Sequence, residues 1–66
     1  MTTIGDYTYS IETDDLGNFV AEVWHSLSGK TVAISEHKTK PDGKAWAVSL
    51  IKFRMKTEST ESTHAH

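Results

Sequence analysis

An α+β fold, built as a three-stranded antiparallel meander followed by one C-terminal helix, is the class this sequence favours, on three observations. Residues 7–35 hold three segments in which apolar and polar side chains alternate, the period-two pattern of half-buried strands. Polar, glycine-bearing turns separate them at 14–18 and 26–30. Residues 44–56 then carry apolar side chains at helical spacing. Part of that stretch also alternates, which keeps an all-β four-stranded meander as the alternative.

Each element has its own local reason. In residues 7–13, Tyr7, Tyr9 and Ile11 point one way and Thr8, Ser10 and Glu12 the other. The turn Asp14-Asp15-Leu16-Gly17-Asn18 suits a hairpin, with Gly17 free to take the positive φ such a turn needs. In residues 19–25, Phe19, Ala21 and Val23 alternate with Val20, Glu22 and Trp24, so this strand is apolar on both faces. Residues 31–35 place Val32 and Ile34 on one side of a third strand. Lys40-Pro41-Asp42-Gly43-Lys44 reads two ways. It is either a further hairpin turn leading to a strand over 51–56, or a start at which Asp42 caps a helix over 44–56. As a helix, Trp46, Ala47, Leu50, Ile51 and Phe53 form the apolar face and Ser49, Lys52 and Lys56 a polar wedge, with the Arg54 stem turned outward. The good helix formers Ala45, Ala47, Leu50 and Met55 tilt the balance towards helix. Residues 57–66 lack any apolar pattern and read as a disordered polar tail, leaving one small domain over 1–56.

Composition narrows the chemistry. The chain has 66 residues and no cysteine, which excludes disulfides, cysteine-based zinc sites, iron–sulfur clusters and thiol catalysis. A domain of this size buries only about 60% of the surface its unfolded chain exposes. Without disulfides or metal, a partner subunit is the remaining staple. No apolar run approaches the ~20 residues of a membrane span, and Met1 to Thr3 open no signal peptide, so a cytoplasmic protein with no membrane partner is expected. The net charge of −2 is unevenly spread. Residues 1–29 carry Asp6, Glu12, Asp14, Asp15 and Glu22 and no Lys or Arg, whereas 30–56 carry seven bases against Glu36 and Asp42. With a pI near 6.0 the chain lacks the strongly basic character of a nucleic-acid-binding domain.

Ile11, Asp14, Gly17, Phe19 and Val23, then Gly29-x-x-Val32-Ala33-x-Ser35-Glu36, then Lys44-Ala45-x-Ala47-x-x-x-Ile51 together resemble one repeat of the YegP-like family of small, uncharacterised bacterial proteins. The resemblance spans about residues 7–55 and implies a β-β-β-α unit, hence a helix at the C-terminal end. The chain departs from it in the longer link through Lys40-Pro41-Asp42-Gly43 and in Lys38, where the family tends to carry an aromatic. Members of the family commonly hold two repeats and this chain holds one, so a homodimer would pair the open sheet edges. Residues 7–23, with their acidic hairpin, are also similar to the opening strands of HicB-like antitoxins, whose partner is a small basic toxin. Trp24-His25-Ser26 replaces the Pro-rich continuation of those proteins.

Chemistry-bearing groups are sparse. His64 and His66 stand in the polar tail with no scaffold to fix a metal, and His25 and His37 lie at strand ends. Asp14 and Asp15 are explained by side chains bonding their own turn. Ser35 has no histidine spaced to serve as its base, and Gly17, Gly29 and Gly43 are isolated turn glycines that form no phosphate loop. No catalytic residue, metal site or cofactor is expected. The reading that remains is a non-catalytic homodimeric module that binds a protein partner, with Val20 and Trp24 on the second face of the middle strand as the contact. One alternative is a nucleic-acid-associated protein using Lys38, Lys40, Lys44, Lys52 and Lys56, and another is a HicB-like antitoxin or inhibitor.

Overall fold

The computed structural model describes residues 1–64, with side-chain surroundings through Glu58. It is an α+β structure of four strands and one helix: β1 (Thr2–Ile4), β2 (Tyr7–Thr13), β3 (Phe19–His25), β4 (Thr31–His37) and α1 (Lys40–His64). The strands form one antiparallel sheet in the order β1-β2-β3-β4, and α1 crosses one face of it.

The strand count differs from the three-stranded expectation. The added strand is N-terminal, so the C-terminal fourth strand of the all-β alternative is a helix instead. β1 is only Thr2-Thr3-Ile4, too short to show alternation, and it exists because Gly5 and Asp6 fold it back onto β2 in the register Ile4↔Tyr7. Gly5 takes φ +58° there, the positive angle at the first position of a two-residue hairpin turn. The other two turns are as expected. In the β2–β3 turn Asp14 accepts from the backbone N–H groups of Leu16 and Asn18, both at 2.9 Å, while Gly17 sits at φ +84°.

The pairing of β2 with β3 runs unbroken from Tyr7↔His25 to Thr13↔Phe19. Tyr7, Tyr9, Ala21 and Val23 therefore share one face, and they are buried there against Ala47 and Ile51 of α1. A bulge between Val23 and Trp24 interrupts the β3–β4 register, leaving Val32 unpaired between Ala33 and Thr31. An extra residue in one strand shifts the alternation. Val32 consequently packs towards the core, whereas Ile34 is 61% exposed on the opposite side. Val32 and Ile34 thus do not share a side as the simple alternation implied.

The helix starts earlier than expected. Thr39, not Asp42, is its N-cap: the Thr39 Oγ1 accepts from the Asp42 N–H at 3.3 Å. Pro41 lies in the first turn, where its missing N–H has no helical partner to lose. Gly43 is accordingly not a turn glycine. It is buried in the first turns of α1, within ordinary contact distance of His37, Ile11 and Ala21. The apolar face centres on Ala47 and Ile51, flanked by Trp46, Val48 and Leu50. Phe53, assigned to that face from the sequence, is 66% exposed, because it lies about 200° around the helix from Ile51. Arg54 turns inward rather than out: its Nε donates to the Tyr7 hydroxyl at 3.4 Å and its guanidinium sits 5.8 Å from the Tyr7 ring centre. Of the residues expected to form a disordered tail, Thr57 and Glu58 continue α1, and the helical backbone runs to His64. Glu58 accepts a hydrogen bond from the Tyr7 hydroxyl, a contact between residues 51 positions apart that no local pattern reveals. Ala65 and His66 lie outside the described residues, and so do the surroundings of the His64 side chain.

Candidate functional site

α1 covers one face of the sheet; the other face is uncovered, and strand pairing dictates what it presents. Paired residues of an antiparallel sheet share a face, so three rows can be read directly. Glu12, Val20 and Glu36 form the first, Ser10, Glu22 and Ile34 the second, and Thr8, Trp24 and Thr31 the third. Val20 and Trp24 are half-buried and occupy the middle strand of this face, where the sequence reading places its contact residues. Glu12 and Glu36 flank Val20 from either neighbouring strand, two strand spacings or about 10 Å apart. A shallow depression of about 460 Å³ on this side is lined by Met1, Ser10, Glu12, Glu22, Trp24 and Gly29.

The polar side chains of this face are tied to their neighbours. Thr8 Oγ1 lies 2.7 Å from Ser26 Oγ and 3.0 Å from Thr3 Oγ1, a hydroxyl chain running from β1 to the end of β3. Thr31 donates to Glu22 at 2.9 Å and Asn18 donates to Glu36 at 3.2 Å. These neutral donors hold the carboxylates in place without cancelling their charge. None of the four strands contains Lys or Arg, so their acidic residues Glu12, Glu22 and Glu36 stand on this face without a basic residue among them. The seven bases lie in turns, in the β4–α1 link and on α1. Charge in this chain is therefore segregated by layer, acidic on the uncovered sheet face and basic on the helix. Ile34, Glu12, Glu22 and Glu36 were not singled out as site residues from the sequence. The absence of Lys and Arg from every strand was the signal that could have grouped the three carboxylates.

The candidate nucleic-acid residues are spread along α1 and the link before it. Lys38 is in the link to α1, and Lys40 and Lys44 line a depression of about 260 Å³ beside Met1, Thr2, Tyr9 and Ile11. Lys52 lies eight residues beyond Lys44, about 80° further around the helix, and Lys56 further still. From Lys40 to Lys56 these lysines turn through about 160° of the helix circumference.

The remaining polar groups serve the fold. Tyr7 is fully buried, stacked against His25 with ring centres 4.7 Å apart. The Glu58 carboxylate, accepting its hydrogen bond, raises the Tyr7 pKa above the ordinary tyrosine value, and burial adds to the shift. Arg54 is likewise raised by its bond to Tyr7. A buried tyrosine kept protonated in this way is suited to latching α1 to β2 and poorly suited to nucleophilic or base chemistry. The His37 ring lies tilted against that of Trp46, with centres 5.6 Å apart, and its buried Nε2 lacks a hydrogen-bond partner among the described residues. Ser35 is on the helix side of β4 and Glu36 on the other, so that pair makes no common site. Among the described residues no three metal-ligating side chains come together, and no helix is long and apolar enough to cross a membrane.

The fold and this face define a two-layer α+β protein with one sheet surface left open. No protein-family model, curated protein or solved structure matches the chain.

Proposed function

We propose that this protein is a non-catalytic homodimeric module of the cytoplasm that binds a protein partner, and that Val20 and Trp24 mark the contact. The observation that carries this reading is the uncovered sheet face: a single helix covers one side, while the other holds Val20, Trp24 and the 61%-exposed Ile34 in the open. A sheet with apolar side chains on both faces needs cover on both. The YegP-like resemblance supports the same reading, since a one-repeat chain of a commonly two-repeat family lacks half of its usual neighbours. The HicB-like reading is the special case in which the partner is a toxin. The nucleic-acid reading draws no support from this face, because its carboxylates Glu12, Glu22 and Glu36 repel phosphate.

Site-specific photocrosslinking tests the proposal in the cells that make the protein. A photoreactive residue at position 20 should yield a protein adduct that the same residue at Leu16, in the exposed hairpin turn, does not. Equal adducts at both positions, none at either, or nucleic-acid adducts at position 20 would overturn it.

A further inference from the structure

We propose that the uncovered sheet face seats the outer side of α1 from a second copy of this chain. This rests on the reading of that face as a contact surface and names one occupant for it. Two exposed patches of the molecule match in charge and in apolar content. The sheet face carries Glu12, Glu22 and Glu36 around Val20 and Ile34. The outward side of α1 carries Lys52 and Lys56 around Phe53, and all three are exposed. Phe53 is a large apolar side chain at 66% exposure with no place in its own chain's core. On the sheet face of a neighbour it meets Val20 and Ile34, with both lysines among carboxylates.

The same charges oppose the two symmetric face-to-face arrangements. Two sheet faces packed together would set the three carboxylates of each copy against each other with no Lys or Arg from the strands of either copy. Two outer helix faces packed together would oppose lysines. Sheet against helix is the pairing that leaves opposite charges adjacent. It also repeats the layer order that the chain already uses, since α1 lies on the other side of the same sheet. The contact is heterologous, so a dimer formed this way keeps one sheet face and one helix face free. The free sheet face remains open to a protein partner. One helix on one small sheet is at the low end of interface sizes, below about 1,200 Å² in total, which makes the association weak and concentration-dependent.

Sedimentation equilibrium on the whole chain tests this directly. At about 0.01 M salt the average mass should rise with concentration from one copy towards two and beyond, and at about 1 M salt it should return to one copy, because screening then acts within a few ångströms. Phe53→Ala should weaken association about tenfold with no loss of thermal stability. Glu12→Lys/Glu22→Lys/Glu36→Lys and Lys52→Glu/Lys56→Glu should each remain single, and their equimolar mixture should regain association. A wild type that stays monomeric, an association unaffected by salt or by Phe53→Ala, or a mixture that remains dissociated would overturn the proposal. If the wild type is monomeric while position 20 still crosslinks to another protein, the partner-binding face stands, and the homodimer and the self-docking fall. If neither occurs, both fall.

Discussion

Truncating Ile51 and Phe53 separately distinguishes a helix from a strand at the C-terminal end. Ile51 is fully buried against Tyr7, Tyr9, Val23 and Ala47, while Phe53 is 66% exposed on the other side of α1. Removing a buried Ile side chain to Ala costs about 2–5 kcal/mol, the transfer of its methyl groups plus the cavity left behind. The total stability of a 66-residue chain is about 3–10 kcal/mol at the usual per-residue value. Ile51→Ala therefore removes a large part of it. With a midpoint shift of about 4–8 °C per kcal/mol, a loss near 3 kcal/mol lowers Tm by about 12–24 °C. Phe53→Ala, despite deleting a larger side chain, changes stability by no more than about 0.5 kcal/mol. Urea and thermal unfolding followed by circular dichroism and tryptophan fluorescence measure both, at one fixed low concentration so that association does not contribute. Were residues 51–56 a strand, Ile51 and Phe53 would share a face and lose stability together. Comparable losses in the two variants would refute the helical packing described above.

Other substitutions read the remaining joints. Gly43→Ala should stabilise the fold by about 0.5–1 kcal/mol, since the position is helical and a Cβ there meets its neighbours at 3.6–3.7 Å, an ordinary contact; chemical denaturation reads the shift. Gly5→Ala should do the reverse by about 1 kcal/mol or more, because φ is +58° and the added Cβ lies 2.8 Å from the Met55 methyl. Thr39→Ala removes the cap of α1 and should cost about 1 kcal/mol in the same assay. The Tyr7 latch predicts an alkaline signature. Its pKa is raised in the folded state, so the folded chain retains a proton that the unfolded chain gives up near pH 10. The stabilisation is complete below that pH and declines as pH rises through the raised folded value. Denaturation midpoints measured from pH 8 upward should show the decline in the wild type and a shallower one in Tyr7→Phe.

Much of the fold is legible in the residues because β2 and β3 alternate without interruption and the turns hold Gly17 and Gly29 at positive φ. What escapes the sequence does so for identifiable reasons. β1 is three residues long, less than two periods of alternation, and depends on Gly5 to turn it back. Pro-Asp-Gly is turn chemistry in isolation, yet Thr39 captures it into the first turns of α1. The phase of α1 was obscured by Arg54, a charged residue on the buried side, whose place is explained only by Tyr7 some 47 positions earlier. At the candidate site, Val20 and Trp24 were readable from the two-faced character of β3. The company they keep was not, because Glu12, Glu22 and Glu36 come from three strands and only the register brings them to one face. Ile34 lies on that face by its pairing with Glu22, whereas the bulge, which alternation does not foresee, turns Val32 away from it towards the core.

The chain contains two tryptophans, and they lie on opposite sides of the sheet: Trp24 on the uncovered face, and Trp46 packed under α1 against His37. Fluorine NMR of protein labelled with 5-fluorotryptophan, assigned with Trp24→Phe, therefore isolates a signal from the open face. Raising the protein concentration at low salt should move and broaden the Trp24 signal, and about 1 M salt should reverse the change. A Trp24 signal that ignores concentration and salt while the mass rises would contradict the account, because the contact would then lie somewhere other than the open face of the sheet.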